Sequence, residues 1–140
     1  MNNKGFTLVE LLAVISIIAI LSIIAVPNVV SVIDNNKKDQ MLSDAKKMIS
    51  QAKYEVTMDK TIRQSGNYKF FLSSLKNNDI GLDPDGGEYN KSTSYVIYRL
   101  EANTPVYCVH LESSKRVIGQ NNTCIDEINV ESRTIVKDLN

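Results

Sequence analysis

The sequence predicts an α+β protein: a long N-terminal α-helical spine, apolar in its first half and amphipathic in its second, packed on an antiparallel β-sheet of three or four strands. Three observations carry that reading. Residues 11–33 contain no charged side chain. From Met41 to Val56 the apolar residues recur at helical spacing. From Ser94 onward, β-branched and aromatic residues gather in short runs separated by turn residues. With 140 residues and a formal net charge of zero, the chain has room for one globular domain beside the apolar segment.

The apolar run is hydrophobic on every side of a helix, so it must be buried all round, in lipid or among other helices. About 20 residues at 1.5 Å each cross the hydrocarbon core of a bilayer. Ser16 and Ser22 are tolerated because their hydroxyls can bond back to their own helix. The run is too long for the core of a secretory signal, and no Ala-x-Ala site closes it. A plain anchor explains the length but not Glu10, just inside its start. A carboxylate at membrane depth costs about 2.5–3.5 kcal/mol on insertion scales and usually marks a partner. Pro27 cannot donate to the carbonyl of Ile23, so a kink or a locally unwound stretch is expected there.

The polar stretch Asp34–Asp39 need not stop the helix. Met41, Leu42, Ala45, Met48, Ile49, Ala52 and Val56 form one apolar stripe. The charged residues Lys37, Lys38, Asp39, Asp44, Lys46, Lys47 and Lys53 lie mostly off it, on a face expected to be solvated. One helix from about Phe6 to about Lys60 is predicted, its first half protruding and its second half lying on the sheet. Ser65-Gly66-Asn67 breaks the pattern. Phe70, Phe71, Leu72 and Leu75 form an apolar cluster read as a short helix, before a polar break at 77–79. Asp83-Pro84-Asp85-Gly86-Gly87-Glu88 reads as a solvated turn; a calcium loop would need ligand spacing that this segment lacks.

Strands are predicted at 94–101, 105–112 and 115–119, joined by turns at 102–104 and 113–114. Alternation puts Val96, Tyr98 and Leu100 on one face, with Tyr107, Val109 and Leu111 beside them against the helix. Val106, Cys108 and His110 face the other way. Residues 125–140 add an edge strand or wrap the sheet. Cys108 and Cys124 can form one disulfide, closing a loop of about 15–17 residues and contributing roughly 3 kcal/mol, if that part lies in an oxidising compartment. The alternative is two half-buried thiols.

Function classes narrow accordingly. There is no basic block and no Trp, so nucleic-acid binding has no electrostatic support. His110, the single histidine, lacks the paired spacing of a zinc site. Nothing orients a Cys108–His110 nucleophile, and no phosphate loop or serine elbow occurs. The pattern points to no enzyme, no metal and no cofactor. A membrane-anchored extracytoplasmic binding domain that never polymerises stays open on these grounds.

The string Lys4-Gly5-Phe6-Thr7-Leu8-Val9-Glu10-Leu11 closely resembles the class III signal of type IV pilins and pseudopilins. The resemblance covers roughly the first 30 residues. It implies a leader at 1–5, a membrane and filament-core helix at 6–33, the amphipathic half of the spine at 34–60 and a β-rich head at 61–140. It implies cleavage by a prepilin peptidase between Gly5 and Phe6, N-methylation of Phe6, Glu10 as the assembly glutamate and Pro27 as a helix-melting proline. A bridge from Cys108 to Cys124 would pin the 119–123 loop, as the C-terminal loop of pilins is often pinned. The implied partners are other copies of the chain and related pilins, the peptidase, a cytoplasmic assembly ATPase and a membrane platform. The implied location is the cell membrane, leader inside, then a surface pilus serving adhesion, twitching motility, aggregation or DNA uptake. Counting positive charges does not fix this orientation, since Lys37, Lys38, Lys46 and Lys47 lie beyond the run while Lys4 precedes it. The resemblance is shared by pseudopilins of type II secretion and competence machines. An ordinary Glu10 and the size of the head favour a bulk pilus subunit. The Lys-, Asn- and Ile-rich composition and the short leader resemble those of low-GC Gram-positive bacteria.

Overall fold

The computed structural model describes residues 5–76 and 80–139, the side chain of Pro27 excepted. Most of the predicted leader and the break at 77–79 lie outside the described residues. The chain divides into two compact units, Met1–Asn36 and Lys37–Asn140.

Helix α1 runs from Leu8 to Met58, and its backbone is helical through position 27. In the first unit its large apolar side chains are exposed along the whole length. Ser16 and Ser22 donate to the carbonyls of Leu12 and Ile18 at 2.7 and 2.8 Å, so neither hydroxyl is left without an acceptor in an apolar setting.

In the second unit the predicted stripe is the buried one. Met41, Leu42, Ala45, Met48, Ile49, Ala52 and Val56 are all buried and share one core with Phe70, Val96, Tyr98, Val109, Leu111 and Ile118. Ala45 and Ala52 carry no long side chain, which lets the helix backbone approach the sheet. The predicted single helix to about Lys60 is interrupted at Asp59. That residue is extended (φ −104°, ψ 108°), and its carboxylate accepts from the amides of Thr61 and Ile62 to start a short second helix, α2, Lys60–Ser65. Gly66, left-handed at φ 68°, ends it.

The sheet is antiparallel and holds six strands rather than three or four. They are β1 (Asn67–Phe71), β2 (Tyr95–Glu101), β3 (Thr104–Glu112), β4 (Arg116–Ile118), β5 (Ile125–Asp126) and β6 (Val136–Asp138). The order is β1-β2-β3-β4-β6, with β5 on β3. The cluster read as a short helix is instead β1 followed by one 3-10 turn, Leu72–Ser74. Phe70 pairs with Val96 and faces the core while Phe71 pairs with Tyr95 on the other side. Of the two courses left open for the chain after Ile125, it adds an edge strand: β6 pairs with β4, after 3-10 turns at Glu127–Asn129 and Arg133–Ile135.

Pairing of Glu101 with Thr104 leaves a two-residue hairpin turn, Ala102-Asn103, with φ 46° and 67°. Positive φ at both positions suits the twist of the flanking strands. Leu100, predicted to face the helix, lies near the hairpin tip and is exposed.

Cys108 and Cys124 are joined, with Cα atoms 5.3 Å apart. The bridge holds the Gly119–Thr123 loop over the outer sheet face. Under it Cys108 and His110 are buried. His110 stacks on Tyr95 at 5.1 Å, and its Nδ1 lies 3.1 Å from the Thr123 carbonyl. The histidine is thus a packing element of the loop anchor.

The turn at 83–88 is a turn and is exposed at Gly86 and Glu88, but the carboxylates of Asp83 and Asp85 are not solvated. Asp83 is 3% exposed, and its Oδ1 accepts from the amides of Asp85 and Gly87 at 2.8 and 2.9 Å. Asp85 is paired with Lys37 at 2.7 Å and Arg116 at 3.1 Å. Asp44, expected on the wet face, is buried and accepts from the Tyr89 hydroxyl at 2.9 Å. Burial, and after it the Asp44 charge, pushes the Tyr89 phenol well above its ordinary value. Three successive residues of α1 therefore reach three distant segments: Lys37 the 83–87 turn, Lys38 the end of β6, and Asp39 the turn at Arg133.

Candidate assembly site at the start of α1

Gly5, Phe6 and Thr7 precede the helix and are not helical. A β-carbon on Gly5 would meet nothing within 4 Å, and Phe6 is 85% exposed. The bond between them therefore sits on an open, non-helical segment, where a protease can reach the backbone.

Thr7 is the residue at which the helix begins. Its carbonyl accepts the first helical bond, from Leu11 N at 3.2 Å. Its hydroxyl accepts from Glu10 N at 3.3 Å. In return, Glu10 Oε2 accepts from Thr7 N at 2.8 Å and from Thr7 Oγ1 at 2.9 Å. This is a reciprocal capping box, which satisfies two of the amides that every helix start leaves without partners. The Thr-x-x-Glu spacing at 7–10 is the signature for it.

The arrangement gives Glu10 two separable capacities. One carboxylate oxygen is occupied locally, which offsets part of the cost of carrying it on an apolar helix. Oε1 makes no hydrogen bond among the described residues and can still accept a cation. The nearest backbone nitrogen that cleavage after Gly5 would turn into an amine is that of Phe6, next to the cap. An ammonium at a helix N-terminus meets the positive end of the macrodipole, so it needs a carboxylate close by.

Around this site α1 offers only apolar surface. It is long and apolar enough to cross a membrane by length and composition. Of the other predicted site residues, Cys108 and Cys124 come together far along the chain, in the head, and Pro27 lies within α1, toward the end of its exposed apolar stretch. Among the described residues, no group of three or more His, Cys, Asp or Glu side chains is placed to hold a metal ion.

No curated protein and no solved structure matches the chain. Residues 1–26 match the family model described as the prokaryotic N-terminal methylation motif. The chain thus carries, in front of an α+β head, the class III signal of a type IV pilin- or pseudopilin-type precursor.

Proposed function

We propose that this chain is a structural subunit of a type IV pilus. A prepilin peptidase cuts between Gly5 and Phe6 and methylates the new Phe6 amine. The apolar half of α1 holds the subunit in the cell membrane, leader side in the cytoplasm, until an assembly ATPase and its membrane platform draw it into a filament. There the apolar helices bundle and the heads tile the surface. Pro27, which leaves the Ile23 carbonyl without an amide donor, is where α1 yields during packing.

The observation that carries this reading is Glu10: a carboxylate on an otherwise apolar helix, half-satisfied by Thr7. In a bundle of such helices, the methylated amine of one subunit keeps its charge, and a charge buried without a partner is strongly penalised. Glu10 of a neighbour supplies that partner in one axial register only. The pair adds little net stability and excludes wrong registers.

Two variants separate the cap from the charge. Glu10→Gln keeps a side chain that can close the capping box but removes the charge; Glu10→Ala removes both. Both should insert into the membrane and both should lose filaments. Normal pili from Glu10→Gln would show that the cap, not the charge, is what assembly uses.

A further inference from the structure

The head carries a cavity that neither the anchor nor the disulfide loop uses. It has a volume of about 500 Å³ and lies between the end of α1, α2 and the β2–β3 hairpin, within the size range of sites that take a side chain or small ligand. Val56, Tyr98, Leu100 and Tyr107 make its walls, with Arg63 and Gln64 at the mouth. None of the lining residues carries a carboxylate. The Arg63 guanidinium is exposed and makes no ion pair among the described residues. An apolar floor with an unanswered cation at its edge fits an apolar side chain that has a carboxylate close by.

The same unit presents such a group. Ile128, in the 3-10 turn Glu127–Asn129, is 84% exposed, the most exposed large apolar side chain of the Lys37–Asn140 unit among the described residues. This bare isoleucine projects as a knob between Glu127, paired with Lys53, and the buried Val130. Three residues on, Glu131 is exposed and makes no ion pair among the described residues.

We propose that Ile128 of one copy seats in this cavity of the next, with Glu131 answering Arg63. The two patches are different, so one copy can give its knob to one neighbour and its cavity to another, a heterologous contact that repeats from copy to copy. Both lie near one level of α1: Lys53 holds the knob and Val56 lines the cavity, less than one 5.4 Å turn apart. Heads joined this way stand side by side, nearly level. The inference rests on the polymerising reading above and names a contact within it.

The test uses full-length chain in the native host. Arg63→Glu and Glu131→Lys should each lower the yield of sheared filaments about tenfold through like-charge opposition, and the double variant should restore it. Normal yields from both single variants, or a double variant no better than either, would overturn the contact. A photoreactive phenylalanine derivative at Ile128 should link to residues 56–107 of a second copy in intact filaments. Adducts with another protein, with a different surface, or none at all would also overturn it. If wild-type cells make no filaments and keep Met1 on the chain, the polymerising reading itself fails, and that result is distinguishable because it appears without any head variant.

Discussion

Removing the Cys108–Cys124 bridge is the sharpest perturbation of the head, because the loop it holds has little else. Gly119–Thr123 contains a 3-10 turn with Asn121 and Asn122 both at positive φ, and of its residues Gly119 alone is buried. Its attachments are the Tyr95 hydroxyl to the Asn122 carbonyl at 2.6 Å, His110 to Thr123, and the bridge. The cysteines are separated by 16 residues. On the chain-entropy estimate, closing a loop of that length removes about 10 cal/mol/K from the unfolded ensemble, worth about 3 kcal/mol at 25 °C. For a head of this size that corresponds to a fall of roughly 15 °C in the unfolding midpoint. Cys108→Ala/Cys124→Ala avoids leaving an unsatisfied hydroxyl at the buried position 108. Thermal and urea unfolding of the full chain in detergent should show that fall, and reductant should bring the wild type to the same midpoint. A loss below about 1 kcal/mol would refute the reasoning, since the loop would then be held by its hydrogen bonds and by the Tyr95–His110 stack.

Three further outcomes follow from the fold. Ala102→Gly should stabilise the head by about 1 kcal/mol, because alanine is strained in the left-handed region that this hairpin imposes; destabilisation in urea titrations would contradict the turn. Met48→Ala, at a side chain fully buried between α1 and the sheet, should cost about 2–5 kcal/mol in the same titrations. Acid should weaken the head. The Lys37 ammonium, and after it the Arg116 charge, holds the Asp85 carboxyl below the ordinary range. Arg133 does the same for Asp39, and the Thr61 and Ile62 amides for Asp59. Each lowered carboxyl contributes stability that is complete above the unfolded value near pH 4 and is lost as pH falls through its folded value. The raised phenol of Tyr89 acts in the opposite sense, losing its contribution as pH rises above about 10. Unfolding midpoints flat from pH 6 to pH 2 would contradict the carboxylate assignment.

What the sequence made legible was periodicity. The helix stripe at 41–56 follows from spacing alone, and so do β2 and β3, whose alternating residues divide as the pleat requires. The losses are physical too. Phe70, Phe71 and Leu72 form an apolar run too short to show whether its period is two or 3.6, so partnership with β2 decides it. β5 and β6 hold two and three residues, and only the strands they join make them strands. Asp44, Asp83 and Asp85 look solvated because acids usually are; the burial of Asp44 and Asp85 depends on Tyr89, Lys37 and Arg116, which come from elsewhere in the chain, and that of Asp83 on the amides of Asp85 and Gly87 in its own turn. At the candidate site, the apolar run and its single acid single out Glu10, while Gly5 and Phe6 are reached only through the resemblance of residues 4–11 to the class III signal, and the local role of Thr7 lies in a four-residue spacing that the larger pattern overshadows.

The most direct test of the central claim is mass spectrometry of the N-terminal peptide from sheared surface filaments of the native host. The account predicts abundant filaments whose subunit begins at a methylated Phe6. A subunit that keeps Met1 or Asn2 at its start would contradict it and leave a membrane-anchored domain that does not polymerise.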